Sequence, residues 1–82
     1  MTAEEIKREL LNAGWAGECE KMYTKERPEN KLTLVIDFDR DKMHFRAMDD
    51  KWRYVFSSAW MDYIGCEIWE GTLMIGETEI TL

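Results

Sequence analysis

Acid–base chemistry near neutral pH most often needs an imidazole, and this chain offers one, His44. A nucleophile for it to activate would have to be Ser57, Ser58, Cys19 or Cys66. None of these lies in a local motif that sharpens a hydroxyl or a thiol. Carboxylates are plentiful, but in an acidic chain abundance alone singles out no acid–base pair. The run Asp37-Phe38-Asp39-Arg40-Asp41 has the alternating acids of a calcium loop. Counted from Asp37, however, the sixth position is Lys42 where that loop needs Gly, and the twelfth is Met48 where it needs Glu. No Gly-rich phosphate loop is present. These residues argue against catalysis, a resident metal or a cofactor, and in favour of binding.

Charge supplies the first binding candidate. Residues 1–53 hold 12 acidic and 11 basic residues, whereas residues 54–82 hold Asp62, Glu67, Glu70, Glu77 and Glu79 and no Lys or Arg. Nearly all of the net charge of −6 therefore lies in the C-terminal third. Within it, Glu67, Trp69, Met74, Glu77 and Glu79 form a candidate partner-binding set. The ring and the thioether would anchor, and the carboxylates would steer toward a basic protein partner. The competing expectation is that the helix covers Trp69 and Met74, leaving the carboxylates as a solvated rim.

A second surface carries Asp37, His44, Arg46, Lys51 and Arg53. Arg46, Lys51 and Arg53 are its candidate nucleic-acid contacts. The cations are few, though, and no aromatic platform for stacking bases is expected among them, so direct nucleic-acid binding is disfavoured. The rings of Trp15, Trp52, Tyr54, Phe56 and Trp60 have two readings, the wall of a small-ligand pocket or the filling of a small core, and core is the ordinary use.

The elements that must position these residues can be read from periodicity. Thr2-Ala3-Glu4-Glu5 has the form of a capping box, and Ala3, Ile6, Leu10 and Ala13 recur at helical spacing up to Gly14, which predicts a helix over 3–13. A weak strand is expected over 17–24. Leu32, Leu34, Ile36 and Phe38 alternate with Thr33, Val35, Asp37 and Asp39 as a half-buried strand does. A turn at Arg40-Asp41 pairs Phe38 with Met43, Ile36 with Phe45 and Leu34 with Ala47. A second turn at Asp49-Asp50 would pair Ala47 with Trp52, Phe45 with Tyr54 and Met43 with Phe56. Ser57 to Gly65 reads as a short helical turn. Loops at Glu70-Gly71 and Gly76-Glu77 then pair Ile68 with Leu73, Cys66 with Ile75, Ile75 with Thr78 and Leu73 with Ile80. The opposite face is left to Glu67, Trp69, Thr72, Met74, Glu79 and Thr81.

The expected fold is thus α+β over a single domain, 1–82. An N-terminal amphipathic helix packs on an antiparallel β-meander of five to seven strands, which can curl into a partly closed small barrel. The start of the chain lacks the apolar core of a secretory signal, the longest purely aliphatic run is Leu34-Val35-Ile36, and two cysteines make no disulfide framework. These point to a cytoplasmic protein without membrane contact. No motif ties the chain to a family. Its profile, short, acidic and motif-free, is similar to that of phage and mobile-element inhibitors, anti-CRISPR proteins among them. The likeness is one of type and is carried by no particular residue. It implies a non-enzymatic inhibitor that engages a basic surface of a nucleic-acid-handling defence protein. The strand order is also similar to that of SH3-like small barrels, in topology alone. Alternatives in other classes are a small-ligand protein that binds or sequesters a nucleotide or metabolite, and a structural homo-oligomer or homodimer joined through an edge strand at 78–82.

Overall fold

A computed structural model describes all of the chain, Met1–Leu82. The helix α1 spans Ala3–Asn12, one residue shorter than its periodicity suggests, because Ala13 takes the C-cap and Gly14 turns the chain at φ 93°. The capping box is formed. Thr2 Oγ1 accepts from the Glu5 amide at 3.2 Å and Glu5 Oε1 from the Thr2 amide at 3.1 Å. The far end is closed from outside, where Lys25 Nζ donates to the Ala13 carbonyl at 2.8 Å, a cation at the negative end of the helix dipole.

The weak strand expected over 17–24 is instead a hairpin of β1 (Ala16–Cys19) and β2 (Met22–Arg27), turning at Glu20-Lys21. Gly17 lies opposite Tyr23, and a Cβ there would come within 3.2 Å of the tyrosine ring. After a 3-10 turn at Pro28–Asn30, β3 (Leu32–Asp39) and β4 (Lys42–Asp49) pair in the expected register, Leu34 with Ala47, Ile36 with Phe45 and Phe38 with Met43.

Two expectations fail beyond that point. The next strand, β5 (Tyr54–Ser57), sets Phe56 opposite Ala47 and Tyr54 opposite Met48, not Trp52 opposite Ala47. The cause is Asp49. Its Oδ1 accepts from the amides of Lys51 and Arg53 at 2.9 Å, its Oδ2 from Arg53 Nε at 2.9 Å, and its own amide donates to the Arg53 carbonyl. That network holds a four-residue turn over 50–53, with Trp52 at φ 61°, where a two-residue turn was expected. Trp52 is thereby expelled from the inner face, and Val55 becomes the extra residue of a β-bulge.

The helical turn expected over 57–65 does not form either. The chain stays extended along β4, where Ser58 N donates to the Phe45 carbonyl at 2.8 Å and Ser58 Oγ accepts from the Phe45 amide at 2.9 Å. A two-residue strand β6 (Met61–Asp62) then sets Met61 against Met43 and Asp62 against Lys42, with an ion pair at 2.6 Å. One isolated helical turn pays nucleation for a single bond, whereas the unpaired edge of β4 offers several.

The remaining strands β7 (Glu67–Trp69), β8 (Thr72–Ile75) and β9 (Thr78–Thr81) make a separate three-stranded sheet. Ile68 faces Leu73, Leu73 faces Ile80 and Ile75 faces Thr78 as expected, while Cys66 is buried just outside the ladder. Glu70 and Gly71 both have positive φ, as a tight two-residue hairpin of the favoured twist requires.

The meander thus reaches nine strands in two open sheets, six in β1–β6 and three in β7–β9, and does not close into a barrel. Helix and small sheet share the inner face of the large sheet. Ile6 and Leu10 from α1, Leu34, Ile36, Phe38, Met43 and Ala47 from β3 and β4, and Leu73, Ile75 and Ile80 from the small sheet form one buried cluster with Trp15 and Tyr23. The Trp15 indole N–H is buried in it without an acceptor, a cost of about 1–3 kcal/mol that burial of the ring outweighs. No helix is long and apolar enough to cross a membrane. Cys19 is exposed and Cys66 buried, both as free thiols, and burial pushes the Cys66 thiol pKa up.

Leu73 is fully buried where the small sheet meets the rest, so Leu73→Ala should cost about 2–5 kcal/mol. Urea unfolding should remain a single transition whether followed by far-UV circular dichroism or by tryptophan fluorescence; separate transitions would mean that the small sheet folds on its own. Asp49 gives a pH prediction. The Arg53 amide bond, opposed by desolvation and aided by the Lys51 amide and the Arg53 guanidinium, holds its carboxyl below the ordinary 3.8. A lowered folded-state pKa means that its contribution is present above 3.8 and is lost as pH falls through the lowered value. The amide proton shifts of Lys51 and Arg53 should titrate with a midpoint below 3.8, and Asp49→Asn should abolish that titration.

Candidate functional site

With the inner faces joined, two sheet faces remain open. On the small sheet the outward row Glu67–Met74–Glu79 lies beside the row Trp69–Thr72–Thr81, each name standing opposite the next on the neighbouring strand. Trp69 is 67% exposed, so the helix does not cover it, and Met74 is half-buried between two exposed glutamates. Glu77 sits in the β8–β9 turn, at the tip and not on the face. No ion pair involves Glu67, Glu70, Glu77 or Glu79; the acid of the C-terminal third that finds a cation is Asp62, on the other sheet. One cation does approach from the first half of the chain. Arg27, at the end of β2, donates to the Thr81 carbonyl, so the charge split in sequence is softened at that corner.

The outer face of the large sheet is built differently. Asp37 on β3 stands opposite His44 on β4, as the alternation predicts, and both oxygens of Asp37 are taken by Arg46, at 2.7 Å from Nε and 3.0 Å from Nη2. The same carboxylate lies 3.3 Å from His44 Nδ1, and His44 Nε2 lies 3.0 Å from Ser57 Oγ. The side chains of Asp37, His44 and Arg46 are between 14% and 19% exposed. Burial works against the Arg46 charge, and hydrogen bonds to Asp37 and to the Tyr54 hydroxyl overcome it, raising its pKa. Tyr54 also lays its ring 5.8 Å from the guanidinium, and Trp60 stacks on His44 with centroids 4.9 Å apart. Around this floor, with Cys19, Lys21 and Met22 on the far side, runs a shallow open concavity of about 580 Å³.

The chain Asp37–His44–Ser57 has the connectivity of a nucleophile relay, and its chemistry deserves a decision. A relay needs the carboxylate to stabilise an imidazolium as it forms. Here that carboxylate is already neutralised by a bidentate guanidinium, and Arg46 would stand beside the new positive charge. Ser57 also lies outside the lining of the concavity, on an exposed strand. The arrangement orients and pins β5 to β4.

The residues proposed from sequence are thus divided by the structure. Glu67, Trp69, Met74 and Glu79 share one face, with Glu77 at its edge. Arg46 lies mid-strand and paired, whereas Lys51 and Arg53 lie in the β4–β5 turn, where Arg53 meets Asp49. Sequence reasoning expected no aromatic rings on the outer face of the large sheet, yet Tyr54 and Trp60 stand there. The Val55 bulge, which sets Tyr54 opposite Met48, and the extended path after Ser57, which lays Trp60 on His44, put them there, and neither has a signature in the sequence. Comparison with protein-family models, curated proteins and solved structures gave no match.

Asp37→Ala should destabilise by about 1–3 kcal/mol, since it leaves a part-buried guanidinium without its carboxylate. Adding Arg46→Met should recover most of that loss, measured by urea unfolding of the two single variants and the double one.

Proposed function

We propose that the chain is a non-enzymatic binding protein whose small acidic sheet occupies a basic surface of a partner protein. The partner class that fits is a protein that grips nucleic acid, with carboxylates standing where phosphates would bind, so that the chain acts as an inhibitor. The observation that carries this reading is an exposed tryptophan on a face whose glutamates have no cation of their own. An exposed Trp beside a half-buried Met is the composition of an interface anchor, and free carboxylates retain their full field for steering. The −6 net charge works in the same direction.

A second reading has its own observation, the concavity of about 580 Å³ walled by Tyr54 and Trp60, a volume in the range of small-ligand sites. It would take a small ligand with a flat ring, such as a nucleotide or metabolite base, and binding should raise the melting temperature and change Trp60 fluorescence.

The leading reading is tested with Trp69→Ala and Glu79→Lys, separately and together, in a chain whose circular dichroism and melting temperature are checked first. A basic partner recovered from cell extract should be displaced by heparin, bind more weakly as salt rises, and lose at least about tenfold in affinity to each change. A partner that ignores salt, heparin and both substitutions would sink the proposal.

A further inference from the structure

Two open sheets leave four long edges, and three carry carboxylates: Glu18 on β1, Glu67 on β7 and Glu79 on β9. The fourth is β5. Its residues Tyr54-Val55-Phe56-Ser57 are uncharged, all four are exposed, and the uncharged run continues through Ser58-Ala59-Trp60. Native sheets blunt their edges with charge, proline, cover or a bulge, and β5 has only the bulge at Val55. The edge at 78–82, expected from sequence to pair, is the more occupied one. Arg27 donates to the Thr81 carbonyl there.

We infer that β5 is a self-association edge, and that its occupant is β5 of a second copy of this chain, running antiparallel about a two-fold axis. Symmetry supplies the argument. In an isologous pairing each edge meets itself, so a glutamate on β1, β7 or β9 faces a like charge across the axis, in a chain already at −6. Along β5 no acid lies between Tyr54 and Trp60, so a two-fold axis through this strand brings no like-charged carboxylates together. A basic peptide strand would gain nothing electrostatic at this edge, whereas a neutral, apolar strand is what a second copy brings.

Area sets the strength. Trp52, Tyr54, Val55, Phe56 and Trp60 are each between 45% and 72% exposed. Covering about 100 Å² on each would bury about 1,000 Å² in total, the lower limit for a specific interface. The Val55 bulge adds twist and keeps the contact short. The dimer is therefore weak, with a dissociation constant in the micromolar range or above. Because two acidic chains meet through an uncharged strip, salt strengthens the dimer, the opposite of its effect on the basic-partner contact. The inference does not rest on that contact.

Sedimentation velocity on the full chain up to about 500 µM, at low and high salt, reads it directly. The expected result is a concentration-dependent shift from monomer to dimer that grows with salt. Val55→Lys puts a charge on the edge and should weaken the dimer about tenfold or more, while Val55→Thr should leave it nearly unchanged. Circular dichroism confirms that both variants are folded. A wild-type chain that stays monomeric throughout overturns the inference, and so does a dimer indifferent to Val55→Lys, which would then use another surface. Glu79→Lys, outside this edge, should alter partner binding and leave self-association in place.

Discussion

The large sheet has two faces, and the chain has apolar cover for one. With 82 residues, one ten-residue helix and one three-stranded sheet are all that remain to shield six strands. Both are placed on the inner face, where Ile6, Leu10, Leu73, Ile75 and Ile80 meet the alternating apolar residues of β3 and β4. A chain this short buries roughly 60% of its unfolded surface, so splitting the cover between two faces would leave neither with a core. The other features follow from that allocation. The outer face of the large sheet must satisfy itself, and the outer face of the small sheet must be wet.

Self-satisfaction explains the Asp37 cluster. Val35 is buried on the outer face, outside the main core, with Arg46 and Thr24 opposite it on the neighbouring strands. A part-buried guanidinium in such a place needs a carboxylate, and Asp37 supplies both oxygens. His44 then fills the gap between Asp37 and Ser57, and Trp60 stacks on the imidazole. The cluster is the polar counterpart of core packing, holding β5 and the segment after it against β4.

How much of this was legible depended on whether local pattern or tertiary pairing governed each residue. The helix, its capping box and the β3–β4 register were readable, because periods of 3.6 and 2 there coincide with burial. So were the small-sheet registers, since Glu70-Gly71 and Gly76-Glu77 allow little choice of turn. Asp49 was not, because its side chain gathers two amides and a guanidinium to stretch a turn by two residues, and composition carries no trace of that geometry. Ser57 to Gly65 was misread for a related reason. Its capping serine and terminal glycine fit a helix, but Ser58 bonds to Phe45 across the strand instead. Exposure of Trp69 was left open by the sequence and depended on where the helix lay.

The two open faces also differ in what their charges can still do. On the large sheet Asp37 meets Arg46, Asp49 meets Arg53 and Lys42 meets Asp62, so the field of these three carboxylates is largely cancelled at short range. A phosphate or a basic peptide arriving at one of these pairs would have to displace an existing partner. On the small sheet Glu67 and Glu79 flank Met74 with no counter-charge, and an arriving cation displaces only water. Unpaired surface carboxylates cost little while exposed and gain most when a desolvated cation meets them, which is the asymmetry a binding face requires. Charge that is free to act, more than the amount of charge, separates the small-sheet face from the Asp37 cluster. The formal −6 is therefore a weaker guide to partners than the four ion pairs that decide which acids remain unanswered.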